Sequence, residues 1–282
     1  KLYTGKSGFI STLKGFHGKS LGALSLLGKA VFRKPLLPLL DGVRQVPFGD
    51  ADAIEQELKW AKEVGDDIAG VVVEPIQGEA GAIEPPDDYW PKLRQICDEY
   101  EVLLIADEVQ TGFGRTGKLF GVDHWGVTPD IMCFGKGLGG GVPIGVVMTS
   151  LKDVLGAGDH GSTFGGNYLS ATAACSVIDI LDEYKASGKL DEGFKYFAQK
   201  LEELFSSNRN LFTQKVGIGM MCGLRCKNAD TLTNIMSSAK DNGVMVLKAG
   251  RNTLRFLPPL TITKEEIDEG FKSLNAAVST LK

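Results

Sequence analysis

Three short apolar runs, each closed by an ionisable residue, constrain this chain more than any other feature. Ile68 to Val73 is followed by Glu74, Val102 to Ala106 by Asp107 and Glu108, and Ile131 to Phe134 by Gly135 and Lys136. Runs that short and that apolar suit strands covered on both faces, as in a parallel sheet. Parallel neighbours need crossovers, and these are legible. Asp87 to Tyr100 sets Trp90, Leu93, Ile96, Cys97 and Tyr100 at helical spacing, and Asp52 to Val64 is a similar helix ahead of the first run. Phe9 to Ser11 and Ile144 to Met148 read as further strands. Asn167 to Tyr184 reads as a helix whose Ala171, Ala173 and Ala174 permit close packing. The fold class expected is α/β, a mostly parallel sheet flanked by helices.

From about Ser187 the pattern changes. A helix over Leu190 to Leu204, a strand region over Val216 to Cys226, a helix near Thr231 to Asn242, strands at Val244 to Leu247 and Thr253 to Phe256, and a last helix from Lys264 give the order α-β-α-β-β-α. That order suits a small α+β domain, so the expected division is residues 1–187 and 188–282. The 282 residues are ample for one large and one small core. Lys+Arg 31 against Asp+Glu 35 leaves a net charge of -4, which argues against a nucleic acid or an anionic membrane as partner. No stretch approaches the ~18 apolar residues of a membrane span. Cys97, Cys133, Cys175, Cys222 and Cys226 lack paired zinc-ligand spacing and read as free thiols, as in a reducing cytoplasm. The chain opens Lys1-Leu2-Tyr3-Thr4, without Met, and the expectation is that an N-terminal part precedes it.

Ligands in open parallel sheets bind beyond the carboxyl ends of the strands, which is where the charged residues stand. A lysine in a glycine-rich loop is ordinarily only solvated, and a strand-end aspartate is often a helix cap. Together on neighbouring strand ends, an amine able to form an imine and a carboxylate able to hold a ring nitrogen protonated suit one cofactor, pyridoxal phosphate. An ordinary lysine is charged at neutral pH, so a nucleophilic amine here requires desolvation or a nearby positive charge. A charge-assisted hydrogen bond from a pyridinium to Asp107 would contribute about 1.5 to 3 kcal/mol.

Two rival motifs fail on context. Gly135-Lys136-Gly137-Leu138-Gly139-Gly140 spells a dinucleotide fingerprint, but a strand pattern follows it and the anion-binding helix N-terminus is missing. Gly112 to Lys118 spells a phosphate loop, but Leu119 stands where a magnesium-binding hydroxyl belongs.

Four stretches in order carry a family resemblance: Glu74-Pro75-Ile76-Gln77-Gly78-Glu79-Ala80-Gly81, Asp107-Glu108-Val109-Gln110-Thr111-Gly112-Phe113-Gly114-Arg115-Thr116-Gly117, Pro129-Asp130-Ile131 with Gly135 to Gly141, and Gly161-Ser162-Thr163-Phe164-Gly165-Gly166-Asn167. The chain resembles the class III (omega-) aminotransferases of pyridoxal-phosphate fold type I over essentially its whole length. The resemblance implies that Lys136 forms the internal aldimine and shuttles the proton, and that Asp107 pairs with the pyridine nitrogen. It implies that Val109 packs on the ring and Gln110 donates to its phenolic oxygen. Phe16, His17 and Ser162 join the cofactor-binding set, and Thr163 reaches the cofactor phosphate of a neighbouring subunit. The implied unit is therefore a homodimer, or a tetramer built from one.

By the same resemblance Arg255 holds the α-carboxylate of glutamate or 2-oxoglutarate, and Glu79 neutralises it when the amine donor has none there. The donor is less sharply marked. Gly15 to Ser25 and Phe32-Arg33-Lys34-Pro35 look most like putrescine aminotransferases, and Lys19 stands where acetylornithine and ornithine aminotransferases usually carry Arg. Lys is a poorer fork for a carboxylate, so Lys19 favours a diamine or ω-amine. Gly158 to Thr163 and Arg251 to Pro259 look more like acetylornithine aminotransferases. A reading of another class, a truncated non-catalytic remnant, follows from the phosphate-cradling loop that the family carries upstream of this region.

Overall fold

A computed structural model describes residues 1–281 and divides them into two compact units. The first comprises Lys1–Pro75, Pro85–Gly112 and Phe120–Val177, and the second Ile76–Glu84, Phe113–Leu119 and residues 178–281. This differs from the single cut expected near Ser187. Two short segments ahead of that point belong with the second unit because their backbones bond there: the Gly250 amide donates to the Glu79 carbonyl, and the Met220 amide to the Arg115 carbonyl.

The first unit holds β1 (Gly8–Thr12), α1 (Leu21–Leu26), α2 (Ala30–Arg33), β2 (Val43–Val46), α3 (Ala51–Val64), β3 (Ile68–Val73), α4 (Tyr89–Glu99), β4 (Leu103–Asp107), β5 (Ile131–Gly135), β6 (Gly145–Thr149) and the start of α5 (Tyr168–Ala186). Its six strands lie in the order β2-β1-β3-β4-β5-β6. All neighbours are parallel except β6, which runs back along β5 with Gly135 opposite Gly145. The strand expected at Ile68 to Val73 matches β3, which is buried along its whole length. α3 forms as the pattern predicts. The Asp50 carboxylate accepts the Ala53 amide, Ile54, Leu58 and Ala61 are buried at helical spacing, and Gly65 closes the helix in left-handed backbone at φ 79°. These residues pack with Tyr89, Trp90, Leu93 and Ile96 of α4 in one core. The short elements α1, α2 and β2 are not legible in the sequence, since four to six residues offer too little periodicity.

The second unit holds the rest of α5, then α6 (Lys189–Ser207), β7 (Phe212–Ile218), β8 (Met221–Cys226), α7 (Ala229–Asp241), β9 (Leu247–Ala249), β10 (Thr253–Phe256) and α8 (Lys264–Ser279). The order expected here is corrected to α-β-β-α-β-β-α. Val216 to Cys226 is the inner part of an antiparallel hairpin, because Gly217 and Gly219 take left-handed backbone and reverse the chain. The strand expected at Val244 to Leu247 lies later, at β9. The sheet order is β7-β8-β10-β9. Phe197, Phe256 and Phe271 meet in the core between sheet and helices. Cys97, Cys222 and Cys226 are buried, Cys175 is exposed, and all five cysteines are free thiols, as expected.

Candidate active site

In the first unit the carboxyl ends of neighbouring strands bring the expected residues together. The chain leaving β1 carries Phe16 and His17, Glu74 follows β3, β4 ends at Asp107, and Lys136 follows β5. His17 Nδ1 donates to Asp107 Oδ2 at 2.8 Å, and the Phe16 amide donates to Glu74 Oε1 at 2.8 Å. The second carboxylate oxygen, Asp107 Oδ1, accepts the Val109 amide at 3.1 Å. Asp107 is thus oriented from two sides. Burial pulls the His17 pKa down, but the hydrogen bond to Asp107 and the charges of Asp107 and Glu74 outweigh it, and the net shift is upward. His17 Nε2 is buried without a hydrogen-bond partner among the described residues.

Lys136 takes left-handed backbone at φ 49°, a conformation a non-glycine residue seldom adopts, and it opens a short 3₁₀ turn over Lys136–Gly139. Its side chain is exposed, so the desolvation expected for a nucleophilic amine is not supplied by the packing of this chain. Val109 reaches the same place: a β-carbon built on Gly135 would lie 3.6 Å from Val109 Cγ1. Gln110 is half-buried on the turn after Val109. β6 follows the glycine-rich loop, so the dinucleotide reading fails as expected.

The chain from Asp107 into residue 122 is held by Glu108, which sequence reasoning passes over. Its buried carboxylate accepts the Gly121 and Val122 amides at 2.9 Å each and the Thr111 hydroxyl. Burial raises its pKa against the pull of those donors. An acid beside a strand-end Asp, followed by a hydroxyl three residues on, is the available signal.

Other expected residues make contacts of their own. Ser162 and Thr163 are exposed, with the Ser162 hydroxyl accepting the Gly165 amide. Lys19 is exposed and places its ammonium 4.3 Å from the centre of the Phe32 ring. Glu79 and Arg255 belong to the second unit, where Arg255 Nη1 donates to Glu79 Oε1 at 2.8 Å. Arg255 is buried on β10 and its Nε has no hydrogen-bond partner among the described residues, whereas Glu79 is about a third exposed, at 36%. The segment carrying Glu79 lies close on the turn before β10: a β-carbon on Gly81 would fall 2.5 Å from the Gly250 carbonyl oxygen.

An amine and a carboxylate on adjacent strand ends, the carboxylate itself braced by a buried histidine, fit an aldehyde cofactor with a basic ring nitrogen. Comparison with known proteins agrees. The sequence model of the class-III aminotransferase family matches residues 1–278. The ornithine aminotransferase of Toxoplasma gondii ME49 is 30% identical with a TM-score of 0.88, over 99% of this chain and 66% of that one. An amine transaminase from an uncultivated Pseudomonas species, solved with bound PLP, is 31% identical with a TM-score of 0.86, over 99% of this chain and 70% of that one. The ornithine delta-aminotransferase of Plasmodium falciparum is 33% identical with a TM-score of 0.78, over 98% and 65%. The chain therefore spans about two thirds of the length of the ornithine aminotransferases it matches.

Proposed function

The chain belongs to the class-III aminotransferase family, and from that premise we propose that it moves a terminal amino group from a diamine or ω-amine to 2-oxoglutarate, using pyridoxal phosphate. The observation that carries this reading is the braced Asp107 carboxylate on the strand next to the one that Lys136 follows. When bound, the cofactor supplies the electron sink that makes the donor's C–H acidic.

The residues of the chain do the rest. Asp107, fixed by His17 and the Val109 amide, holds a proton on the ring nitrogen. Val109 would cover one ring face and Gln110 would donate to the ring oxygen. The Lys136 amine would carry the proton from the donor carbon to C4′ of the bound cofactor. Arg255 receives the α-carboxylate of 2-oxoglutarate, while Glu79, exposed enough to swing, pairs with it when the donor brings no carboxylate. Thr163, exposed on this chain, serves a second copy in a homodimer, and Ser162 joins the cofactor-binding set. The exposed Val147, Phe164, Tyr168 and Leu169, all of the first unit, support that assembly.

Lys19 supports the diamine. Its ammonium sits on the Phe32 ring, a contact of about 0.5 to 1 kcal/mol, instead of standing as a carboxylate fork. Ornithine or acetylornithine is the second reading, favoured by the likeness to ornithine aminotransferases. Putrescine, cadaverine, N-acetylornithine, ornithine and 4-aminobutyrate, each assayed with 2-oxoglutarate, separate the two. Turnover of putrescine or cadaverine is expected, and Lys136→Ala abolishes it. Activity confined to ornithine or N-acetylornithine would overturn the diamine reading. Transamination retained by Lys136→Ala would overturn the whole reading.

A further inference from the structure

We propose that Arg115 positions Arg255 for its carboxylate, an inference that rests on the role given to Arg255 above. Arg115 is a half-buried guanidinium that no carboxylate neutralises among the described residues. Burial lowers its pKa, and its Nη1 donates instead to two backbone carbonyls, Pro258 at 2.5 Å and Met220 at 3.4 Å. Holding a cation out of water for two neutral acceptors is unfavourable unless those acceptors must be held.

Both acceptors lie beyond the Phe256 end of β10, where Phe256 pairs with Cys222. Pro258 is the third residue after Arg255, on the chain that leaves the strand, and Met220 lies in the turn joining β7 to β8. The same short segment grips that turn through its main chain. The Met220 amide donates to the Arg115 carbonyl at 3.1 Å, and a β-carbon on Gly219 would lie 2.6 Å from the Thr116 carbonyl carbon. The start of β10 is anchored independently, by the bond from the Gly250 amide to the Glu79 carbonyl. Arg115 is therefore the clamp on the far end of the strand whose side chain meets the keto acid. A planar fork needs its backbone fixed to hold a bidentate geometry. Arg115 is thus a positioning residue that acts through Arg255.

The test separates the two half-reactions. With the protein loaded with pyridoxal phosphate, Arg115→Ala is expected to raise the KM for 2-oxoglutarate about tenfold, with the rate of the amine-donor half-reaction changing less than about twofold. Calorimetry with the unreactive dicarboxylate glutarate reads the same loss without turnover. In the Arg255→Ala background, Arg115→Ala adds nothing further, as expected for two residues acting through one contact. If Arg115→Ala does not fold, Arg115→Lys, which keeps one donor for Pro258, carries the prediction at about threefold. Equal losses in both half-reactions, or additive effects of the two substitutions, would overturn the role of Arg115 alone. An Arg255→Ala variant with an unchanged KM and unchanged glutarate affinity would instead overturn the reading of Arg255.

Discussion

Replacing His17 with Phe removes the donor that braces Asp107 while keeping a ring of similar shape in a site where the imidazole is 4% exposed. The substitution deletes a charge-assisted hydrogen bond of 2.8 Å to a carboxylate only 11% exposed, so the cost at low pH is about 1.5 to 3 kcal/mol. The pH dependence has a definite sign. The folded pKa of His17 lies above its ordinary 6.5, so the extra stability is fully present below 6.5 and is lost as pH rises through the folded value. At alkaline pH the neutral imidazole still donates from Nδ1, which leaves a difference of roughly 0.5 to 1.5 kcal/mol.

All three tryptophans, Trp60, Trp90 and Trp125, lie in the same unit as His17, so their fluorescence during urea unfolding reports on that unit. With a slope of about 2 kcal/mol/M, the His17→Phe midpoint falls by roughly 1 M near pH 6 and by about half that near pH 9. A difference that stays equal at the two pH values, or widens at the alkaline one, would refute the assignment of a protonated His17 paired with Asp107.

Glu108→Gln is expected to leave one of the Gly121 and Val122 amides poorly satisfied and to cost about 1 to 3 kcal/mol. Because burial raises the Glu108 pKa, the wild type loses stability relative to this variant as pH rises from about 4.5 through the folded pKa, and a pH series of unfolding midpoints reads that trend. Gly81→Ala places a methyl 2.5 Å from the Gly250 carbonyl at a backbone φ of 122°, and it should displace the Glu79 segment, lowering the melting temperature and raising the KM for 2-oxoglutarate together.

The large features of the fold are legible in the sequence because they repeat. β3 and the helices on either side of it announce themselves through apolar runs and helical spacing, and the strand-end rule points to Glu74, Asp107 and Lys136 before any resemblance is invoked. Pairing across distance stays hidden. Nothing in Phe16-His17 tells which strand-end acid the imidazole meets, and the hairpin of β7 and β8 reads as one element because its turn is as apolar as its strands. Arg115 reads only as part of a motif, since a lone arginine among glycines looks solvated until the carbonyls around it are placed.

The one reversed strand of the six-stranded sheet has a consequence for how the protein comes together. Because β6 returns along β5, the segment bearing Lys136 closes between Gly135 and Gly145, a loop of modest length, whereas His17 and Asp107 meet across 90 residues of chain. Closing the longer loop costs about 2 kcal/mol more in chain entropy. The lysine hairpin can therefore form locally and early, and the histidine–aspartate contact closes only when the strands between them are in register. The amine thus stands on a local hairpin, whereas the brace on the acid depends on the whole sheet between them.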